Sequence, residues 1–169
     1  MVCSLLAAAV ALVVPSAVAG APASRSFSII GYEYAFTQTV GSFAGAASGE
    51  SGDTAVWNAT VKHRALGPTT TRVDGGSFQL GTLNPSTGHV DYVIGAIVYH
   101  SGTIAVLNRG ANCTSQVYRV TGRLGNVKTR SASGGSGSFG ATLTHYRYSI
   151  FGHCVTYKAS IKGGVTFVR

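Results

Sequence analysis

The chain has 169 residues, with 13 Lys and Arg against five Asp and Glu (net charge +8), and is 45% hydrophobic but only 11% charged. That length fits one domain with an adequate core and leaves no room for several. Beyond the N-terminus no apolar run is long enough to cross a membrane as a helix, which excludes a bundle of membrane helices.

Leu5 to Val14 is unbroken and apolar, and Pro15, Ser16 and Ala17-Val18-Ala19 follow with the small-x-small pattern of a signal-peptidase site. About ten apolar residues are too few to span a bilayer, so residues 1–19 read as a secretory signal peptide cleaved after Ala19. Met1 to Ser4 carry no Lys or Arg, which points to a start codon further upstream. Cys3 precedes the apolar run, the wrong side for a lipid-anchored cysteine. The rest is expected to be extracellular: a flexible lead over 20–26, then one domain over 27–169.

From there apolar and polar residues alternate with period two, the signature of half-buried strands. Ile30, Tyr32, Tyr34 and Phe36 share one face of a first strand, and Phe43 begins a weak, Gly-rich second. A turn at Glu50–Asp53 leads to Trp57, Ala59, Val61 and His63 on one face, with Asn58, Thr60, Lys62 and Arg64 on the other. Gly67-Pro68 turns the chain into a strand with Gly76, Phe78 and Leu80, and residues 84–88 form the next turn. Tyr92–Tyr99 and Thr103–Leu107 read as two strands around a His100-Ser101-Gly102 turn. Tyr118, Val120 and Leu124 follow, then a Gly/Ser loop over 125–136 and two long strands reaching Phe167. No window of the mature chain has helical spacing. Eight strands, or nine, predict an antiparallel β-barrel, with a β-sandwich as the alternative. Gly-Ser-Phe recurs at 41–43, 76–78 and 137–139 with unequal spacing, a local device in which Gly bends the strand and Phe plugs the core.

Cys113 and Cys154 remain after cleavage, and an even count in an exported chain predicts a disulfide. Its closed loop of about 41 residues is worth about 4 kcal/mol in the loop-entropy account. If the last three strands form an antiparallel meander, both cysteines land at the same rim.

The run Gly134-Gly135-Ser136-Gly137-Ser138-Phe139, followed by two strands ending in Lys162-Gly163, resembles the corresponding stretch of the allene oxide cyclases. It is more loosely similar to that of the dirigent proteins, which share their barrel. The similarity covers about a fifth of the chain and rests mainly on Gly and Phe. It implies an eight-stranded antiparallel barrel with a central cavity, in which those families steer reactive small molecules without a metal or organic cofactor. None of the cyclases' polar pocket residues aligns onto this chain, so no catalytic role is carried over. The first half is similar to small secreted bacterial proteins of unknown function.

Gly135-x-Gly137-x-x-Gly140 matches a dinucleotide-binding pattern by letters, but that motif needs a helix where ATLTHYRY is strand. His63, His100 and His145 end three segments of the form A-x-[VL]-x-H, which invites a three-histidine metal site. Tracing alternate strands instead puts His63 and His100 at one rim and His145 and His153 at the other, so no metal is assigned. Among Glu33, Glu50, Asp53, Asp74 and Asp91 no two have the spacing of an acid/base pair. Glu33 and Asp91 adjoin Tyr-rich strands and are the acids placed to reach a pocket. No G-x-S-x-G is present. The sequons at Asn58 and Asn112 matter only in a eukaryotic secretory pathway.

Two ligand surfaces compete. Tyr32, Tyr34, Phe36, Trp57, Phe78, Tyr118 and Tyr157 are read as inward, around a small apolar molecule or as a solid core. Arg119, Arg123, Tyr146, Tyr148, Lys158 and Lys162, with Thr142 and Thr144, are read as an outer basic face suited to an anionic envelope polymer. Lysines that block aggregation at a sheet edge are the structural alternative for that face. The first reading makes the chain a non-catalytic binding module with no cofactor. A cofactor-independent cyclase or isomerase requires a real cavity with a polar group inside.

Overall fold

The computed structural model describes residues 23–50, 52–83 and 87–168. The expected signal peptide and residues 20–22 lie outside them. Alternating burial produces nine strands: β1 (Ser24–Phe36), β2 (Val40–Gly49), β3 (Thr54–His63), β4 (Thr70–Leu83), β5 (Val90–Ile97), β6 (Gly102–Asn108), β7 (Gln116–Thr129), β8 (Gly135–Ile150) and β9 (His153–Val168). β1 begins inside the expected lead, since Ser24, Arg25 and Ser26 pair with Val168, Phe167 and Thr166. The expected loop at 125–136 shrinks to 130–134, because β7 runs on to Thr129 and β8 starts at Gly135.

Every pairing is antiparallel, and the ring β1-β2-β3-β4-β5-β7-β8-β9 closes through β1 and β9, which excludes the sandwich. The ninth strand, β6, is where the expected turn at 100–102 misleads. β5 pairs with β4 over 76–83 and with β7 over 124–129, whereas β6 pairs with β4 over 70–73 and with β7 over 117–120. The two short strands therefore run in the same direction, end to end in one ring position, interrupted by residues 98–101.

Two one-residue bulges re-aim aromatic side chains. In β1, Glu33 pairs with Phe43 and Ala35 with Ser42, so Tyr34 is the extra residue. In β9, Lys158 pairs with Tyr146 and Thr156 with Arg147, so Tyr157 is the extra one. The inward face of β1 is Phe27, Ile29, Gly31 and Glu33, and the expected face of Ile30, Tyr32 and Tyr34 points to solvent. Tyr157 would follow Ala159 and Ile161 inward by alternation; its bulge turns it out.

The closed, chain-terminus end of the barrel is packed solid. Phe78 lies between Trp57, stacked at 5.8 Å, and Phe167 at 6.0 Å, while Phe27 meets Phe167 edge-on at 6.3 Å. Trp57 reaches across the barrel because β1 and β2 carry Gly31 and Gly45. A side chain on Gly45 would collide with the Ile30 carbonyl, and one on Gly31 with the Ala44 carbonyl and the indole. The indole N–H donates to the carbonyls of Ile30 and Ala46, both at 3.0 Å.

At the other end the β7-β8-β9 meander brings Cys113 and Cys154 together as a disulfide, Cα–Cα 5.1 Å. It clips the segment before β7 to the start of β9. Replacing both cysteines by Ala is expected to cost about 2–4 kcal/mol in urea denaturation, mainly by freeing the unfolded chain. A variant as stable as the native protein would show that the meander alone holds this rim.

Candidate functional site

The barrel is hollow at the disulfide end. A cavity of about 470 Å³ opens there, walled by Phe43, Val61, Ile104, Val120 and Leu143, with Leu66 from the β3–β4 loop at its edge. These apolar residues come from five strands because period-two alternation sends one residue of each pair inward. A narrower void of about 20 Å³ beneath it shares Phe43, Val61 and Val120 and is floored by Trp57 and Phe78.

Polar groups converge on one side of the cavity. Glu33 lies in it, paired on β1 opposite Phe43, and His145 enters from β8. Their side chains are 4% and 12% exposed, and His145 Nε2 stands 2.7 Å from Glu33 Oε2. A carboxylate only accepts, so Nε2 carries the proton and Nδ1 is left without a protein partner among the described residues. The imidazole is held by rings as well: Tyr118 meets it edge-on at 5.3 Å and Phe36 lies 5.8 Å away. The Tyr118 hydroxyl donates to Gln116 Oε1 at 3.0 Å. Burial pushes the Tyr118 phenol above its ordinary value, with Arg147 opposing and the Glu33 charge adding to the rise, so it remains a neutral donor. His63 also lines the cavity, its Nδ1 donating to the Arg64 carbonyl at 2.7 Å.

Of the aromatics read as inward, Trp57, Phe78 and Tyr118 are buried and Phe36 sits at the cavity mouth. Tyr32, Tyr34 and Tyr157 are corrected to the outer surface, for the register reasons above. His63 and His145, expected at opposite rims, share this cavity. The reason is β5 and β6, which run in one direction and so remove one reversal from the trace. His100 is elsewhere, its Nε2 3.0 Å from Asp74 Oδ1, and His153 is exposed at the β8–β9 turn. Among the described residues no three His, Cys, Asp or Glu side chains are grouped to hold a metal.

Glu33 reaches the cavity, whereas Asp91 lines a separate, smaller pocket of about 230 Å³ with Arg25 and Arg130. Gln116, Thr156 and the meeting of Glu33 with His145 were missed from the sequence. The available signal was Phe27-x-Ile29-x-Gly31-x-Glu33, a second apolar face of β1 that ends on a carboxylate. Arg119, Arg123, Tyr148, Lys158 and Lys162 are exposed and Tyr146 is half-buried, all on β7–β9.

No protein-family model matches the chain, and neither a curated protein nor a solved structure does. The fold and the cavity stand on the structure itself.

Proposed function

We propose that this protein is a binding barrel that carries one small, mostly apolar molecule, with a single polar group of the ligand set against His145. The observation behind this reading is the cavity itself: a volume in the range of ligand sites, apolar walls and one buried polar cluster. Eight-stranded barrels of this size are either filled by side chains or hold one small ligand. Here the solid half rests on Trp57, Phe78 and Phe167, and the hollow half is left for the guest. With Nε2 committed to Glu33, Nδ1 is the ring atom left to meet a polar group of the ligand.

The test is titration of the disulfide-bonded chain with an N-phenylnaphthylamine probe, whose fluorescence rises in apolar surroundings. One equivalent is expected to bind. Thr156→Trp, a rim substitution that leaves the buried core untouched, is expected to fill the mouth and weaken the probe by about tenfold or more, since an occupied pocket forfeits the apolar burial that binds it. Probe binding that is unchanged in Thr156→Trp would sink the assignment.

A second reading, the cofactor-independent isomerase or cyclase, is supported by the same polar cluster. It required a cavity with a polar group inside, and Glu33, His145 and Tyr118 supply a positioned imidazole, its orienting carboxylate and a neutral hydroxyl donor. The resemblance of β8 and β9 to the allene oxide cyclases adds to it. Turnover of an apolar carbonyl or epoxide substrate that vanishes in His145→Gln would raise it above simple carriage.

A further inference from the structure

We propose that the outer face of β7, β8 and β9 binds an acidic polysaccharide. All five acidic residues lie at or before Asp91, whereas nine of the 13 Lys and Arg residues follow it. β7, β8 and β9 are consecutive neighbours in the ring, so a basic wall without a single carboxylate runs along one side of the barrel. Among the described residues no ion pair engages Arg119, Arg123, Lys158 or Lys162; the pairs involve Arg25, Arg64, His100 and His145. These strands are paired on both sides, so the lysines have no sheet edge to protect.

Register arranges the charges. Arg119, Thr142 and Lys162 stand in one row across the three strands. At a spacing of ~4.8 Å per strand, the backbones of Arg119 and Lys162 flank Thr142 about 10 Å apart. In the adjoining row Gly140 lies between Thr121 and Gly164 and faces outward, with nothing above it. The missing side chain leaves a trough of about 270 Å³ bordered by Arg119, Thr121, Thr142 and Lys162. Arg123 and Ser138 continue the face toward one end. Toward the other, Tyr148 meets Tyr157 edge-on at 5.4 Å, and Lys158 Nζ lies 5.6 Å over the Tyr146 ring.

Unneutralised cations draw a polyanion and concentrate it at the surface. Threonine and serine hydroxyls beside them match sugar hydroxyls, and Tyr148 and Tyr157, packed against each other but exposed, add their phenol hydroxyls to the same surface. A nucleic acid is favoured less. Bases stack on free aromatic faces, and here the tyrosines pack against one another and Lys158 occupies Tyr146.

The experiment is calorimetric titration of the full disulfide-bonded chain with polygalacturonate, neutral dextran and an oligothymidylate. Binding to polygalacturonate is expected to fall by about tenfold or more between low and physiological salt, as charges on a polyanion release counterions. Dextran is expected not to bind. Arg119→Glu with Lys162→Glu is expected to lose about 30-fold in affinity, because like charges then face the polymer. That variant keeps the cavity probe, so failure of this surface is distinguishable from failure of the cavity. Tyr148→Ala with Tyr157→Ala is expected to lose roughly tenfold at every salt concentration with the salt slope unchanged. Unchanged affinity in the charge-reversed variant overturns the proposal. Tighter binding of the oligothymidylate than of polygalacturonate also overturns it, and reassigns the face to nucleic acid.

Discussion

Replacing His145 by Leu is expected to destabilise the barrel by about 3–5 kcal/mol, whereas replacing Glu33 and His145 together by Leu is expected to be near neutral or stabilising. The asymmetry comes from burial. Glu33 is 4% exposed and among the described residues its one side-chain partner is His145, so removing the imidazole strands a carboxylate in an apolar cavity. Removing both removes the desolvation cost along with the attraction, and two leucines would pack against Phe36, Phe43 and Leu143. Urea denaturation at pH 7 of the native protein, each single variant and the double variant closes the cycle. A His145→Leu variant within about 1 kcal/mol of the native protein would show that water solvates Glu33. In that case the cavity is wetter than its walls suggest, and the apolar-ligand reading weakens with it.

Trp57→Ala is expected to cost about 3–5 kcal/mol, the largest loss from any single core truncation here. Trp57 is 3% exposed, stacks on Phe78 and donates to two carbonyls on two different strands. Truncation leaves the cavity term and also withdraws the donor that ties β3 to β1 and β2. Trp57→Phe keeps most of the stack and loses only the donor, so about 1–3 kcal/mol is expected, the cost of unpaired buried carbonyls. The same truncation enlarges the small void of about 20 Å³ that Trp57 floors, so Trp57→Ala is expected to take up a small apolar probe such as benzene that the native void is too small to hold. Chemical denaturation measures the first effect and probe titration the second. Equal stability of Trp57→Ala and Trp57→Phe would mean that the stack contributes nothing beyond the hydrogen bonds.

Much of the fold was legible locally. β3 shows why: Trp57, Ala59, Val61 and His63 alternate with Asn58, Thr60, Lys62 and Arg64, and only one face can be buried. The meeting of Cys113 with Cys154 is legible in the sequence because it depends on three consecutive strands joined by short turns. β1 was read on the wrong face because both faces are apolar: Phe27 and Ile29 on one, Ile30 and Tyr32 on the other. Periodicity cannot choose between two such faces, and pairing with Ala47, Gly45 and Phe43 of β2 chooses for it.

By itself the sequence determined the strand-rich antiparallel class, with barrel and sandwich both open, the disulfide pairing and the concentration of basic charge in the last three strands, because composition, period-two alternation and turn residues act over a few neighbours. Only the tertiary structure decided that the sheet closes into a barrel, that Glu33 meets His145, that the Tyr32 and Tyr34 face of β1 is the outer one, that Tyr157 leaves the interior, and that the barrel is hollow at one end. The bulges depend on counting residues against a partner strand, and the collinear β5 and β6 depend on shared neighbours in β4 and β7. Those are long-range pairings, and the site is built from them.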